Sequence, residues 1–227
     1  MKRDVAIVGA GYVGVPLAQV FAAAGQKVVL VDVDPKRVEQ LNRGESYIED
    51  VSSETLEALV ESGHITATTD YDELREADAI LIALPTPLSR QREPDLRILV
   101  SAAEQISTRL RPGHLVVVES TTYPGTTREQ VLPALEAGSG LTAGKDFHLA
   151  FSPERVDPGR EDWTTKNVPK VVGGIDQAST DAAAAFYAGA IEEIHKVSSP
   201  EAAELTKLLE NIFRSVNIAL VNELAQL

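Results

Sequence analysis

The first 32 residues carry the pattern that most constrains the fold. The apolar residues 5–8 lead into Gly9-x-Gly11-x-x-Gly14, an apolar helical stretch follows, and the apolar residues 28–31 end at Asp32. The order strand, glycine turn, helix, strand, acid is typical of a βαβ unit that binds a dinucleotide. The chain is therefore predicted to adopt a Rossmann-like, doubly wound α/β fold with a mainly parallel sheet.

Each part of this pattern has its own physical role. Gly9 permits the tight turn, Gly11 lets the backbone approach a pyrophosphate, and Gly14 lets the helix lie close to the sheet. The N–H groups and the dipole at the start of the helix favour the negative charge of the phosphates. Asp32 can accept hydrogen bonds from the adenosine ribose diol, and its charge would repel a 2′-phosphate. The pattern therefore favours NAD over NADP as the cofactor.

Length and charge limit the classes of partner. The 227 residues fit one large domain, or one domain with part of another. The formal net charge of −13 argues against nucleic acid and against an anionic membrane surface, because both would be repelled. No transmembrane span is expected.

The cysteine and histidine content limits the chemistry of the chain itself. The sequence contains no cysteine, which excludes disulfides, Cys-ligated zinc and a Cys nucleophile within these residues. Its four histidines show no metal-ligand spacing, so no metal site is predicted. The absence of cysteine is compatible with the cytosol, and a cytoplasmic protein is expected.

Apolar runs and helical stretches alternate along the rest of the chain, which predicts a parallel α/β fold. Further strands are expected at residues 65–68, 79–84, 115–119, 147–151, 169–174 and 191–197. Helices are expected at residues 35–41, 54–61, 70–77, 96–110, 124–135 and 176–189, with loops at 88–95, 138–144 and 156–165.

The last helix differs from the others in its length. Ser199 is a plausible N-cap with Pro200 at the first helical position, and no breaker follows up to Leu227. At 1.5 Å per residue this helix would span about 40 Å. We therefore expect residues 1–197 to form an NAD-binding domain and residues 198–227 to begin a longer connecting helix.

Polar residues follow several predicted strands at the sheet edge where doubly wound folds bind ligands. Pro85 and Thr86 follow one strand, Ser120 and Thr121 the next, and Glu154 a third. The proline turn either stops the strand or lies against a cofactor. The hydroxyl groups either cap a helix or contact a ligand. Glu154 is either a surface acid or a general base or acid.

The final helix adds a polar stripe of Glu204, Lys207, Asn211 and Ser215 at spacings of three and four. Such a stripe is usually a solvated face or the contact of a helix pair. Lys207 and Asn211, one turn apart, could also present two donors to a developing oxyanion. The spacing leaves both interpretations open.

Six stretches, in order along the chain, resemble the UDP-glucose/GDP-mannose dehydrogenase family of NAD-dependent nucleotide-sugar 6-dehydrogenases. They are residues 9–14, 84–87, 119–127, 152–155, 203–211 and 222–223. Finer similarity at residues 47–49, at 86–88 with Arg92 to Asp95, and at 152–159 resembles the branch that oxidises UDP-N-acetyl-hexosamines. Within that branch the resemblance favours UDP-N-acetylglucosamine.

This resemblance implies a four-electron reaction. The C6 alcohol of the sugar is oxidised to a carboxylate by two hydride transfers to NAD, with the aldehyde trapped on a cysteine as a thiohemiacetal. Thr121 and Glu154 would position or activate water, and Lys207 and Asn211 would stabilise oxyanions. The resemblance places the cofactor against Gly9, Gly11, Tyr12, Val13, Gly14, Asp32, Arg37, Pro85, Thr86, Ser120, Thr121 and Glu154.

The chain departs from the family pattern in two respects. Pro158 stands where the UDP-glucose branch has a second glutamate, which weakens that substrate assignment. The nucleophilic cysteine is absent. The resemblance therefore implies that a second, UDP-binding domain lies outside this chain, that the chain alone is inactive, and that the long helix forms a homodimer.

Three alternatives stay open from the sequence. The substrate could be UDP-N-acetylmannosamine or UDP-glucose within the same family. The chain could be a non-catalytic NAD-binding module. It could also belong to a simple two-electron dehydrogenase of the 6-phosphogluconate and hydroxyisobutyrate type.

Overall fold

The computed structural model describes residues 3–88, 93–155 and 165–227. Arg92, Pro158 and most of the predicted loop 156–165 lie outside the described residues. The strands are β1 (Arg3–Val8), β2 (Val28–Val31), β3 (Ile65–Thr68), β4 (Ala77–Ile82), β5 (Leu115–Val118), β6 (His148–Phe151), β7 (Lys170–Gly174) and β8 (Ile194–Lys196). The α-helices are α1 (Gly14–Ala23), α2 (Pro35–Asn42), α3 (Ser53–Glu61), α4 (Arg97–Ser107), α5 (Leu132–Ser139), α6 (Gln177–Tyr187) and α7 (Pro200–Ala225).

The eight strands form one sheet in the order β3-β2-β1-β4-β5-β6-β7-β8. All neighbouring pairs are parallel except β6 and β7, which pair antiparallel. From β1 to β3 the chain adds strands toward one edge of the sheet, and from β4 to β8 it adds strands toward the other edge. This reversal opens a crevice beyond the carboxyl ends of β1 and β4. The mainly parallel, doubly wound α/β fold is confirmed.

The sheet is apolar throughout because helices cover both of its faces. Successive residues of β1 alternate between two buried clusters, with Val5 and Ile7 in one and Ala6 and Val8 in the other. The first cluster includes Phe21 of α1, and the second lies against α4 and α5. The continuous apolar runs of the sequence are therefore explained by two-sided burial.

The segment after β5 differs from its predicted helix over residues 124–135. A π-helical turn, Thr127–Val131, precedes α5, and the Leu132 N–H donates to the Thr127 carbonyl five residues earlier. Pro133 has no N–H to continue the α-helical pattern at this point. The helix then runs to Ser139 and ends at Gly140, whose φ of +68° lies in the left-handed region. The predicted glycine loop at 138–144 therefore begins later than expected.

The helix α7 begins as predicted, with the Ser199 hydroxyl accepting from the Ala202 N–H at 3.3 Å. Its first turns pack on the domain, since Pro200, Ala203 and Glu204 are buried. From Asn211 onward every residue is exposed, including Phe213 and Val216. In the described parts of the chain, no helix is both long and apolar enough to cross a bilayer.

Candidate functional site

The glycine turn lies at the carboxyl end of β1, and two of its glycines are required by the protein's own packing. Gly9 has a φ of +107°, and a Cβ there would lie 2.4 Å from the Ala83 carbonyl oxygen. A Cβ on Gly14 would lie 1.9 Å from the Gly9 carbonyl oxygen. A Cβ on Gly11 would meet no atom within 4 Å. Gly11 therefore faces open space, as a backbone that receives a phosphate group requires.

The helix α1 begins beside this open space with no side-chain cap. Its N-cap residue is Val13, and no acidic side chain lies in its first turn. Tyr12 is 75% exposed, and Val13 is half-buried. The orphan N–H groups of a helix start favour an anion. The turn and the helix start therefore fit the pyrophosphate of a dinucleotide.

Asp32 lies at the end of β2, within reach of the same turn. One of its carboxylate oxygens accepts from the Ala10 N–H at 2.8 Å, and the other accepts from the Asp34 N–H at 2.9 Å. Only 8% of the residue is exposed. Each oxygen keeps a further lone pair for a ligand hydroxyl. The carboxylate is thus held in place and still able to accept from a ribose diol.

Arg37 and Tyr47 surround Asp32. The Arg37 Nη1 atom lies 3.9 Å from a carboxylate oxygen of Asp32, and its guanidinium carbon lies 5.8 Å from the centre of the Tyr47 ring. The Tyr47 hydroxyl donates to the Ala10 carbonyl at 2.6 Å. From the sequence, Tyr47 stands out only within residues 47–49, which resemble the UDP-N-acetyl-hexosamine branch. No motif points to a role for it, because it is a single tyrosine between two helices.

A cavity of about 710 Å³ opens on the other side of Asp32. Its lining is largely apolar, with Val33, Tyr71, Leu84 and Ile98 among the contributing residues. Val33 is 79% exposed although it directly follows a buried strand. A largely apolar cavity beside a carboxylate has the chemistry that an adenine ring and its ribose require.

The ends of β4 and β5 are joined by hydroxyl groups. Ser120 Oγ accepts from the Leu84 N–H at 3.0 Å, which directs the chain away from the sheet after β4. The Thr86 hydroxyl donates to the Thr121 carbonyl. The structure therefore brings Pro85, Thr86, Ser120 and Thr121 together at one edge. Ser120 caps no helix here and instead links two strand ends.

Glu154 follows β6 at this edge and lies above a buried charged cluster. Lys170 Nζ donates to Glu119 at 2.6 Å and lies 3.7 Å from a carboxylate oxygen of Glu154. The Tyr187 hydroxyl donates to the other Glu119 oxygen. Lys170 and Glu119 are almost completely buried. Sequence reasoning missed this cluster, because its members come from four separate elements and no spacing relates them.

The members of this cluster shift one another's pKa values. Burial raises the pKa of Glu119, although the Lys170 charge acts in the opposite direction. Burial by itself would lower the pKa of Lys170, but the carboxylates of Glu119 and Glu154 outweigh it and raise that pKa. Burial, together with the neighbouring Glu119 charge, raises the pKa of Tyr187 well above 10. Lys170 is therefore an ammonium ion and Tyr187 a neutral donor across the physiological range. The cluster gives Glu154 a fixed cationic neighbour.

Lys207 reaches the same region from α7. Burial lowers its pKa, while the nearby carboxylates of Glu154 and Glu210 act in the opposite direction. Arg155 fixes the loop after β6 to this helix, because its Nε donates to Glu210 at 2.8 Å. Asn211 lies one turn further on and is exposed. The Lys207 ammonium group is therefore within electrostatic range of the Glu154 carboxylate, and Asn211 follows one turn later on α7.

Glu204 is buried, contrary to the solvated stripe that its spacing suggested. Its carboxylate accepts from the Gly125 N–H at 2.6 Å, the Thr127 N–H at 2.9 Å and the Thr127 hydroxyl at 2.7 Å. The Thr122 hydroxyl donates to it at 3.4 Å. The side chain therefore ties α7 to the turn that carries Thr121.

No group of three or more His, Asp or Glu side chains within the described ranges is placed to hold a metal ion. His114 is fully buried at the start of β5, where its Nδ1 accepts from the Arg111 N–H at 3.2 Å.

Comparison with known protein families gives one match for the sheet domain and a second match for α7. Residues 3–191 match the NAD binding domain of the UDP-glucose/GDP-mannose dehydrogenase family. Residues 201–227 match the central domain of the same family. The first match covers most of the sheet and the whole glycine turn.

Known relatives extend the comparison. The chain is 39% identical over 223 residues to UDP-N-acetyl-D-glucosamine 6-dehydrogenase of Salmonella typhi, covering 97% of this chain and 51% of that protein. Two solved structures superpose closely. An NDP-N-acetyl-D-galactosaminuronic acid dehydrogenase from Methanosarcina mazei Go1 gives a TM-score of 0.87 at 38% identity, covering 99% of this chain and 50% of the other. A UDP-D-ManNAc dehydrogenase from Pyrococcus horikoshii gives 0.91 at 34%, covering 97% and 52%. The chain spans about half the length of the curated relatives it matches.

Proposed function

The chain belongs to the UDP-glucose/GDP-mannose dehydrogenase family and is an NAD-binding domain, and from this we propose the reaction of the protein that carries it. That protein oxidises the C6 alcohol of a UDP-N-acetyl-hexosamine, UDP-N-acetylglucosamine, to the uronic acid in a four-electron reaction. The observation that supports the proposal is that Asp32, Thr121 and Glu154 follow β2, β5 and β6 at the carboxyl ends of parallel strands, and that the charge of Glu154 acts on Lys207 of α7.

The cofactor accepts hydride, and the residues of this chain hold it. We propose that Gly9, Gly11 and Gly14, with Tyr12 and Val13, receive the pyrophosphate, since Gly11 faces open space. Asp32 and Arg37 hold the adenosine ribose. Pro85, Thr86, Ser120, Thr121 and Glu154 surround the nicotinamide end. The pyrophosphate contacts are supported by the open space at Gly11. The nicotinamide contacts are supported by the hydrogen bonds that join the ends of β4 and β5.

The reacting carbon of the sugar passes through states with negative charge on oxygen. Lys207 is a suitable donor to such an oxygen, because its ammonium group is half-buried. The low local dielectric strengthens its electrostatic interaction with a negatively charged oxygen. Asn211, one turn away, supplies a second, neutral donor. Thr121 and Glu154 position and activate the water that hydrolyses the final intermediate.

The rest of the proposal concerns the organisation of the whole protein. Residues 1–197 form the NAD-binding domain, and residues 198–227 begin the connecting helix. The nucleophilic cysteine and the UDP-binding domain belong to the half of the protein that this chain does not span, so the chain alone binds NAD(H) without turnover. The exposed apolar residues of α7, such as Phe213 and Val216, support a homodimer through this helix. The reaction takes place in the cytoplasm, where NAD and nucleotide sugars are available.

A substrate panel with the complete protein tests the proposal. We expect UDP-N-acetylglucosamine to give a higher kcat/KM than UDP-N-acetylmannosamine or UDP-glucose. Glu154→Gln and Lys207→Met should each lower kcat by at least about 100-fold. Lys207→Met should do so with little change in NADH affinity, because Lys207 is not among the proposed NAD contacts. A control variant at an exposed ion pair, Arg43→Ala, should keep full activity. NADH binding without turnover of any nucleotide sugar would instead favour a non-catalytic module.

A further inference from the structure

We propose that Tyr47 is a positioning residue for the dinucleotide. Its hydroxyl holds the peptide group between Ala10 and Gly11 so that the Gly11 N–H faces the pyrophosphate. Its ring holds Arg37 beside the ribose acid. One side chain from the loop between α2 and α3 therefore organises both the phosphate site and the ribose site.

Two hydrogen bonds fix the peptide groups on the two sides of Ala10. The Ala10 N–H is fixed by Asp32 at 2.8 Å, and the Ala10 carbonyl accepts from the Tyr47 hydroxyl at 2.6 Å. In a planar trans peptide, the carbonyl and the following N–H point in opposite directions. The Gly11 N–H is therefore directed away from Tyr47, and the peptide cannot rotate without breaking a hydrogen bond.

Gly11 is the open position of the glycine turn. Of the three glycines in the turn, only Gly11 has a Cβ position with no atom within 4 Å. Gly9 and Gly14 are packed against the protein's own backbone. The turn thus offers its open side at the residue whose peptide Tyr47 orients. An N–H held in advance binds a phosphate oxygen without a further ordering cost.

The ring of Tyr47 lies against the guanidinium group of Arg37. The guanidinium carbon of Arg37 lies 5.8 Å from its centre, a distance at which a cation is attracted to an aromatic face. The same guanidinium lies 3.9 Å from Asp32 and 3.7 Å from Asp34. The ring and the two carboxylates therefore restrict a long, otherwise exposed side chain to the ribose side.

The hydroxyl also keeps its donor role at every working pH. Burial raises the pKa of Tyr47 to about 12, and the nearby charge of Asp32 acts in the same direction against that of Arg37. A neutral phenol donates its proton to a carbonyl, whereas a phenolate could not.

Binding of three ligands to this chain tests the proposal. Adenosine reaches only the ribose side, whereas ADP and NADH also place phosphates at Gly11. Tyr47→Phe removes the hydroxyl and keeps the ring. It should weaken ADP and NADH binding about five- to tenfold, the loss expected for one neutral hydrogen bond, and leave adenosine within twofold. Tyr47→Leu also removes the ring and should weaken all three ligands.

Adenosine and ADP are titrated by NMR and NADH by fluorescence, with thermal unfolding recorded for each variant. Tyr187→Phe is the matched control, because it removes a buried tyrosine hydrogen bond that goes to Glu119 and not to the glycine turn. It should lower the melting temperature while leaving ADP affinity unchanged. Wild-type ADP affinity in Tyr47→Phe overturns the proposal, and so does an equal loss for adenosine and ADP. If Tyr47→Leu does not fold, Tyr47→Phe decides alone. The proposal rests on NAD binding and not on the sugar oxidation, so either can fail separately.

Discussion

Replacing Glu204 with alanine should destabilise the domain more than any other single carboxylate removal in α7. The side chain is completely buried and accepts hydrogen bonds from the backbone of Gly125 and Thr127 and from two hydroxyl groups. Hydroxyl groups can rotate to other acceptors, but the two backbone N–H groups cannot. Glu204→Ala therefore leaves two buried donors without an acceptor and opens a cavity.

The magnitude follows from these two donors. A buried donor left unsatisfied costs about 1–3 kcal/mol, so two donors and the cavity cost about 4 kcal/mol in the free energy of unfolding. For a chain of this size, 1 kcal/mol corresponds to roughly 2–4 °C, which gives a fall of about 10 °C in melting temperature. Glu204→Gln keeps one acceptor oxygen and the shape of the side chain, and should lose about 2 kcal/mol.

Urea unfolding followed by circular dichroism measures both variants. Glu201 provides the matched control, since it lies less than one turn earlier and forms a partly exposed ion pair with Arg128 at 2.7 Å. Glu201→Ala should cost less than about 1 kcal/mol. A Glu204→Ala variant within about 0.5 kcal/mol of wild type would refute the reasoning, because it would mean that the buried N–H groups find other acceptors.

Three further predictions concern other sites. Burial, aided by the Arg111 charge, lowers the pKa of His114 from 6.5 to about 4. The unfolded chain therefore binds a proton first as the pH falls, and stability should drop by up to about 3 kcal/mol between pH 6.5 and pH 4. Urea unfolding should show this drop in His195→Gln but not in His114→Gln. Lys170→Met should cost about 3–5 kcal/mol, because Glu119 is left buried without its cation, and the double variant with Glu119→Gln should cost less than the sum in a double-mutant cycle. Asp32→Ala should weaken NADH binding about 10- to 100-fold in a fluorescence titration and narrow the preference for NAD over NADP, whereas unchanged affinity would contradict the ribose contact.

The fold could be predicted because its strongest signals are local. The glycine turn, the acid after β2 and the apolar runs each follow from neighbouring residues, and parallel strands then place their carboxyl ends at one edge. This is sufficient to bring Asp32, Thr121 and Glu154 to the end of the sheet that is formed by the carboxyl ends of its parallel strands. The start of α7 was predictable for the same reason, because Ser199 and Pro200 are adjacent cap residues.

The supporting residues could not be predicted, because their partners are distant in sequence. The spacing of Glu204 predicts a solvated position, and only the structure shows that it accepts hydrogen bonds from Gly125 and Thr127. From the sequence, Lys170 is only a polar residue near the start of the strand predicted at 169–174, and only the tertiary fold shows its buried pairing with Glu119. Periodicity identifies which face of an element is apolar. It does not identify which buried polar groups satisfy one another.

The number of NADH molecules formed per sugar consumed tests the proposed oxidation most directly. The complete protein is supplied with limiting UDP-N-acetylglucosamine and excess NAD, and the absorbance of NADH and the sugar products are followed to completion. We predict two NADH per sugar and a uronic acid as the only product. One NADH per sugar, with a free aldehyde released, would contradict the four-electron reaction and favour a simple two-electron dehydrogenase.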